Sequence, residues 1–266
     1  MRSILLALAF PVMLAAAAPA QALEPFRIYD RFADRTIDPA RWQDNERIRV
    51  IKGGEIQLMQ RTWGLGGSDF GTLPMNWVAS LANPQDITAL KARITVNAFE
   101  TNACPTNPAI GDARARIFGT FFNVRTPTPG SMVNDVIAQV RLYRTSNSTD
   151  PAGLMRVQGI LSICTTADCI SAATVGNFVD LGTAMVGTPV TVSMQWDKPG
   201  KTFYFGREGF PTGTVAYSES DASPPSFANR YLSARVTVPS CLSAPRVSAT
   251  VDALFDNVFV NQSAAP

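Results

Sequence analysis

Histidine is missing altogether from the 266 residues of this chain. Without histidine, a Ser-His-Asp triad, a Cys-His pair and a histidine-ligated metal site are all excluded. Net charge is also scarce, since 23 basic and 21 acidic side chains leave a formal charge of +2. A strong positive field of the kind that attracts nucleic acid is therefore absent, and we predict no nucleic-acid partner.

Long apolar runs are absent beyond the first residues of the chain. Met1–Ser3 carries one positive charge, Ile4–Ala18 is apolar, and Ala20–Ala22 has the small-x-small pattern of a cleavage site. This order is typical of a secretory signal peptide, and the run is short for a membrane span of roughly 20 residues. We predict a signal peptide over 1–22, a single mature domain over 23–266 without a membrane span, and export to the periplasm or beyond.

Cysteine occurs only four times, and an exported chain meets an oxidising compartment in which disulfides form. Four cysteines allow three pairings. The spacing of Cys164 and Cys169 suits a small closed loop at the tip of a hairpin, which leaves Cys104 to pair with Cys241. A metal site is the alternative, but one C-x4-C spacing without histidine is a weak signal for it.

The remainder of the chain has the pattern of short β-strands. Apolar and polar residues alternate from Val190 to Trp196, Lys198–Lys201 supplies a turn, and Thr202–Phe205 returns as a second strand. Similar segments lie at 55–60, 90–99, 114–124, 136–144, 154–163, 247–251 and 253–260. The best helix candidate is a single turn near 83–90. Many strands without a long helix indicate an all-β sandwich or barrel.

Four motifs in the mature chain resemble one known superfamily. They are the opening YDRFAD and IDPARW at 29–34 and 37–42, GGEIQL at 53–58, WD followed by FYF at 196–205, and LFDNVFV at 254–260. In this order they resemble the concanavalin A-like lectins and glucanases, which include laminin G-like domains. The resemblance implies a two-sheet antiparallel β-sandwich, a jelly roll, whose concave face binds glycans in many relatives.

Polar residues on the strands predicted at 136–144 and 154–163, with Thr191, Ser193 and Gln195 on a third strand, provide the candidate glycan-binding face if these strands lie in the concave sheet. Alternation places the polar members of each strand on one side of the sheet. The predicted ligand-binding set on this face is Gln139, Arg141, Tyr143, Arg156 and Gln158. Such groups bind sugar hydroxyls, and arginine also pairs with uronate or sulfate. The alternative is an ordinary solvated sheet face, which antiparallel sheets commonly have.

A glycine-rich loop that contains two tryptophans is a second candidate for ligand contact. Trp63 and Trp77 lie at either end of the segment 61–77, and tryptophan offers a flat apolar face to a sugar ring. The alternative is that both rings anchor the loop to the core.

A carboxylate in the last predicted strand is a candidate metal ligand. Asp256 lies on the apolar side of that strand, where an unpaired charge is costly. The resemblance implies a structural calcium ion held by Asp256 and by a carbonyl of Gly53 or Gly54, since calcium takes oxygen ligands. The alternative is that an arginine or the backbone pairs with Asp256.

No catalytic residue is predicted. Retaining glucanases of this fold carry a Glu-x-Asp-x-x-Glu strand with paired carboxylates, and that motif is absent. We therefore predict a non-catalytic glycan-binding or adhesion-type domain. One alternative is an enzyme of the same fold, a glycoside hydrolase or a lyase acting on acidic polysaccharide, in which Tyr143, Arg141 and Arg156 would serve although the Gln-x-His motif of such lyases is missing. A structural module without a small ligand is the other alternative, and the oligomeric state is left open.

Overall fold

The computed structural model of the chain describes residues 23–31, 33, 42–43, 50–64, 67–242 and 247–266. The predicted signal peptide and most of the opening motif, including residues 34–41, lie outside the described residues. The described residues form sixteen β-strands, which build two antiparallel sheets. No helix among them is long and apolar enough to cross a membrane.

The first sheet has the strand order β14-β13-β12-β6-β16-β4-β3, and β1 also pairs with β16. Its strands are β1 (Phe26–Asp30), β3 (Val50–Lys52), β4 (Glu55–Trp63), β6 (Ala89–Thr101), β12 (Val190–Asp197), β13 (Thr202–Arg207), β14 (Gly213–Ala216) and β16 (Ser248–Asn261). The long β16 runs through the middle of this sheet and contains the closing motif of the sequence.

The second sheet has the order β10-β9-β8-β7-β15-β5-β2, and β11 also pairs with β9. Its strands are β2 (Trp42–Gln43), β5 (Thr72–Leu81), β7 (Asp112–Asn123), β8 (Asp135–Thr145), β9 (Leu154–Cys164), β10 (Ala172–Thr174), β11 (Val179–Met185) and β15 (Arg230–Pro239). Two short 3-10 turns, Pro84–Asp86 and Gln262–Ala264, complete the regular structure of the described chain.

The main core lies between the two sheets, where the apolar sides of the alternating strands meet. Val192 and Met194 of β12 and Phe205 of β13 are fully buried in it. The sheets approach so closely that a Cβ atom added to Gly159 of β9 would lie 2.4 Å from Cγ of Phe205. The period-two pattern directs the alternate side chains of each sheet away from this core.

Two disulfides tie loops to the ends of strands. Cys104 and Cys241 are bonded, as are Cys164 and Cys169, and no described cysteine is free. The first bond links the loop after β6 to the end of β15. The second closes the loop that follows β9, and both pairs are those the sequence predicts.

The predicted antiparallel sandwich is confirmed, and so are the strands predicted from alternation. The two segments at 247–251 and 253–260 form one strand, since β16 continues through a register shift between Asp252 and Ala253. The helical turn predicted near 83–90 is limited to Pro84–Asp86. β5 and β15 were not predicted as strands, and both contribute to the candidate site.

Candidate functional site

The outer face of the second sheet carries the candidate site. In β7 the residues Ala113, Ala115 and Ile117 are buried in the core, so Arg114 and Arg116 point to the other side. The register places Arg116 opposite Arg141 of β8 and opposite Ser233 of β15. Outward-facing polar residues of several strands are thus aligned across the sheet.

These residues line a cavity of about 430 Å³, which we call the arginine groove. It lies across the outer faces of β5, β7, β8, β9 and β15, with one wall formed by the segment after β9. Its polar lining consists of Asn76, Arg114, Arg116, Gln139, Arg141, Ser162, Asp168, Asn229, Tyr231 and Arg235, and its apolar lining includes Phe118, Met132, Ile137, Ile160 and Ile170.

Arg116 is the central group of the groove floor. Its Nε donates to Ser233 Oγ at 2.9 Å, its Nη1 to Gln139 Oε1 at 2.8 Å and its Nη2 to the Tyr231 hydroxyl at 3.2 Å. The side chain is buried, and burial lowers the pKa of Arg116 to about 9. All three acceptors are neutral, so they orient the guanidinium without cancelling its charge.

Arg141 and Arg235 are held with fewer partners. Arg141 donates to Gln158 Oε1 at 3.2 Å and lies 4.0 Å above the ring of Tyr143, and burial lowers its pKa to about 10. Burial also lowers the pKa of Arg235. The Nε atoms of both arginines are buried and have no hydrogen-bond partner. Each guanidinium therefore has a donor that the protein leaves unused.

Arg114 differs from the other three arginines because it has an acidic partner. Its Nε donates to Asp112 Oδ1 at 2.7 Å, and its Nη2 contacts the other carboxylate oxygen. Burial acts to raise the pKa of Asp112, but the charge and hydrogen bond of Arg114, together with the charge of Arg235 and a hydrogen bond from Thr237, hold that pKa below its usual value. Within the described chain, this is the one ion pair that involves any of the four arginines.

Four of the predicted ligand-binding residues on this face line one of two cavities, whereas Gln158 lines neither and accepts a hydrogen bond from Arg141. Gln139 and Arg141 line the groove itself. Arg156, exposed at the edge, is paired with Asp150 at 2.8 and 2.9 Å, and its hydrogen bond lowers the pKa of Asp150 to about 2. Arg156 and Tyr143 line a neighbouring cavity of about 270 Å³ with Asp150.

The two predicted tryptophans lie away from the groove. Trp63 ends β4 in the first sheet, half exposed, with the Arg61 guanidinium 4.8 Å from its ring. Trp77 lies in β5 directly opposite Ala234, which is buried in the core, so the two residues share the inner side of the sheet. Neither ring is placed to stack on a ligand in the groove.

Asp256 has a cationic partner from within the protein. Its Oδ2 lies 2.5 Å from Arg93 Nη2, and its Oδ1 accepts from the backbone of Asn257 at 2.6 Å. Arg93 also lies 3.5 Å from Glu55. These contacts satisfy both carboxylate oxygens without a metal ion and match the alternative that the sequence left open. Calcium at Asp256 and Gly54 stays a prediction.

Most of the groove residues were missed by the sequence analysis, among them two arginines of β7 and two residues of β15. Arg114 and Arg116 alternate within a strand that was predicted, so the same period-two rule identifies them. Tyr231 and Arg235 alternate in the same way within β15, but that strand was not recognised. In both strands the sequence contains the pattern that identifies one face, because the polar residues are two or four positions apart.

Solved structures that match this chain include an alginate lyase and an endo-1,3-beta-glucanase. Alginate lyase Aly36B is 10% identical over 94% of this chain and 100% of its own, with a TM-score of 0.44. The catalytic domain of an endo-1,3-beta-glucanase (laminarinase) from Thermotoga petrophila RKU-1 is 10% identical over 90% and 99%, with a TM-score of 0.47. No family model and no curated protein matches the chain. These likenesses concern the fold alone.

The two-sheet antiparallel architecture is the one that the sequence motifs imply. The central hairpin of β12 and β13 and the terminal strand β16 occupy the first sheet, and β4 pairs with β16 there. The fold is therefore a two-sheet antiparallel β-sandwich, as the resemblance implies.

Proposed function

We propose that this protein binds an acidic polysaccharide in the arginine groove. The observation that carries the proposal is the charge of the groove: four arginines converge there, and only Arg114 has an acidic partner among the described residues. A buried guanidinium without a counter-charge is costly for the fold. A uronate or sulfate group of a ligand supplies that counter-charge and pairs with arginine through two parallel hydrogen bonds.

The same groove supports a second candidate function, cleavage of that polysaccharide by β-elimination. In such a step a base removes the proton next to the uronate carboxylate, the bond to the leaving oxygen breaks as a double bond forms, and the oxygen takes up a proton. Tyr231 is the titratable hydroxyl of the groove, and Arg116 and Gln139 lie beside it. Arg116 donates a hydrogen bond to the Tyr231 hydroxyl oxygen, so the phenolic proton points away from Arg116.

Hydrolysis through two carboxylates is less well supported. Among the described residues that line the groove, Asp168 is the one carboxylate, and Asp112 nearby is engaged by Arg114. A retaining or inverting hydrolase needs a pair of carboxyl groups across the scissile bond. We therefore favour elimination over hydrolysis as the alternative to simple binding.

The binding proposal is tested by calorimetry with oligomannuronate and with a neutral oligosaccharide of equal length. We expect binding of the acidic ligand alone. Arg141→Gln and Arg235→Gln should each lower the affinity about tenfold or more, since each removes a charge-assisted contact. The matched control is Arg61→Gln, an exposed arginine on the first sheet. Equal loss in the control, or binding of the neutral ligand alone, contradicts the proposal.

The cleavage candidate is tested by incubating the protein with alginate, pectate or glucuronan and following the ultraviolet absorbance of unsaturated products. Tyr231→Phe keeps the ring that stacks on Phe118 at 4.5 Å and removes only the hydroxyl. We expect it to abolish product formation while binding persists. Tyr143→Phe is the matched control, because Tyr143 lines the neighbouring cavity rather than the groove. Absence of product from the unaltered protein leaves binding alone as the function.

Export outside the cytoplasm is part of the proposal. Two disulfides are present, and such bonds persist in oxidising compartments. A polysaccharide ligand is met in the periplasm or outside the cell, which agrees with the signal peptide predicted over 1–22. The corresponding test is detection of the processed chain in the exported fraction with Leu23 as its first residue.

A further inference from the structure

The two ends of the arginine groove differ in chemistry. The register across β9, β8, β7 and β15 defines rows of side chains. One row contains Arg114 and Arg235, and the next contains Arg116 and Arg141. The third row carries no charge and consists of Ile160, Gln139, Phe118 and Tyr231. Successive rows are about 7 Å apart, since each lies two residues further along the strands.

The uncharged end is built as an apolar cluster of its own, separate from the main core. Phe118, Ile137 and Cys164 are buried in it, and Met132, Cys169 and Tyr231 pack against them. The rings of Phe118 and Tyr231 are stacked at 4.5 Å with an angle of 9° between their planes. We call this end, with Ile170, the apolar end of the groove.

The wall of the apolar end is held by the second disulfide. The bond between Cys164 and Cys169 closes the loop after β9, and the Met132 amide donates to the Ala167 carbonyl at 2.8 Å. Ile170, just beyond the loop, is 57% exposed and lines the groove. A covalently closed loop that presents an exposed isoleucine to a cavity gives a fixed apolar surface to whatever the cavity holds.

The one carboxylate that lines the groove also stands at this end. Asp168 is exposed, and its Oδ1 accepts from the Ile170 amide at 3.1 Å and from Thr166 Oγ1 at 2.8 Å. These hydrogen bonds, that of the Ile170 amide first, lower the pKa of Asp168, so it is ionised at neutral pH. A second anionic group of a ligand is repelled here, whereas an uncharged group is accepted.

We propose that the apolar end binds an acyl substituent of the polysaccharide, so that the preferred ligand is an O-acylated acidic polysaccharide with its carboxylates over the arginine rows. This inference rests on the proposed function of the groove. The acyl methyl packs against Ile170 and Met132, while the neighbouring carboxylate pairs with Arg116 or Arg141. A neutral sugar next to the uronate is also uncharged, and it is the other group that fits the apolar end.

Matched ligands separate these cases by calorimetry on the mature protein. The probes are an oligomannuronate, the same oligosaccharide after chemical O-acetylation, and an alternating oligosaccharide of uronate and neutral sugar. We expect the acetylated form to bind about tenfold more tightly than its parent, the usual discrimination for a small apolar group in a fitted pocket. A higher affinity for the alternating ligand than for the acetylated one assigns the apolar end to a neutral sugar and overturns the acyl assignment.

Two variants test where the preference arises. Ile170→Asp places a charge on the apolar end and should abolish the preference for the acetylated ligand, because it lowers the affinity for that ligand more than the affinity for its parent. Met59→Asp is the matched control, because Met59 is also 57% exposed but lies on the first sheet. Asp168→Asn should raise the affinity for the unacetylated ligand and so reduce the ratio between the affinities for the acetylated and unacetylated ligands.

The failure of this inference is distinguishable from the failure of the proposed function. If no acidic ligand binds, the proposed function is wrong. If the acetylated and parent oligosaccharides bind equally, or if Ile170→Asp and Met59→Asp change the preference equally, the function stands and the acyl assignment is wrong.

Discussion

Arg93 on the first sheet and the arginines of the groove on the second sheet are held in opposite ways. On the first sheet Arg93 has two acidic partners, Asp256 at 2.5 Å and Glu55 at 3.5 Å. On the second sheet four arginines converge in one groove, and only Arg114 pairs with an acid. In both sheets the side chains of each strand alternate between the core and the outer face. The difference shows that pairing with an acid was available to the fold, and the proposed binding of an acidic ligand needs the unpaired charge that the groove retains.

The largest expected effect comes from removing one unpaired charge. Arg235 is largely buried, and its Nε has no partner. Replacing it by methionine should lower the affinity for oligomannuronate about 30-fold, since a charge-assisted contact contributes about 2 kcal/mol. The free energy of unfolding should rise by about 1 kcal/mol, because a desolvated charge is replaced by an apolar chain of similar length. Calorimetry and urea unfolding measure the two quantities.

A loss of stability in Arg235→Met comparable to its loss of affinity would contradict the comparison. It would mean that Arg235 stabilises the sheet, as Arg93 does, and that keeping Arg235 in the groove does not lower the free energy of unfolding. The conservative variant Arg235→Lys keeps the charge and separates the two explanations, since it should recover part of the affinity without recovering the bidentate geometry.

Removing Asp256, the nearer acidic partner of Arg93, should lower the stability of the fold rather than the affinity for the ligand. In Asp256→Ala, Arg93 keeps only the more distant Glu55, and the Asn257 amide loses its acceptor. We expect the free energy of unfolding to fall by about 1–2 kcal/mol and the affinity for polysaccharide to stay unchanged.

Asp252→Ala on the same strand is the matched control for this change. Asp252 accepts a hydrogen bond from the neutral amide of Gln57 at 2.7 Å, so its loss breaks no ion pair. Its cost should be smaller than that of Asp256→Ala. A calcium-dependent rise in the melting temperature of the unaltered protein that is lost in Asp256→Ala would show instead that Asp256 serves the metal predicted from the sequence.

The fold is largely predictable from the sequence because it depends on a local signal. Segments such as Val190–Trp196 alternate strictly, and alternation is sufficient to predict a strand with one buried face. β5 was missed because Pro74, together with the glycines before it, reads as loop. β15 was missed although Tyr231, Ser233 and Arg235 alternate with apolar residues, and its position between β7 and β5 depends on pairing partners far away in the chain.

The site was predictable only in part because it depends on register. The sequence placed Gln139 and Arg141 on one face, and they do line the groove. Which side chains of other strands lie beside them is fixed by cross-strand pairing, which no local pattern encodes. Tyr231 lies 92 residues from Gln139 in the sequence, yet the hydrogen bonds of Arg116 join both to one guanidinium. Trp63 and Trp77 were singled out by residue type, and type alone does not say which face they occupy.

The smallest expected effect concerns the one pair inside the groove, Arg114 and Asp112. The folded state lowers the pKa of Asp112, so its ionised form contributes stability above its unfolded pKa of about 4, and that contribution is lost as pH falls through the lower folded value. Asp112→Asn should therefore cost about 1 kcal/mol near neutral pH, and the difference from the unaltered protein should shrink below about pH 4. Urea unfolding over this range measures it.

A double-mutant cycle with Arg114→Gln isolates the pair itself. If Arg114 behaves as Arg93 does, the two changes are non-additive and the coupling disappears on acidification. The affinity for oligomannuronate then responds in the other direction, since Asp112→Asn leaves Arg114 unpaired and adds a fourth free cation to the groove. Tighter binding together with a lower free energy of unfolding in Asp112→Asn would show that this one ion pair stabilises the fold and also limits the affinity for the ligand. Weaker binding would show instead that Asp112 is needed to orient Arg114 toward the ligand.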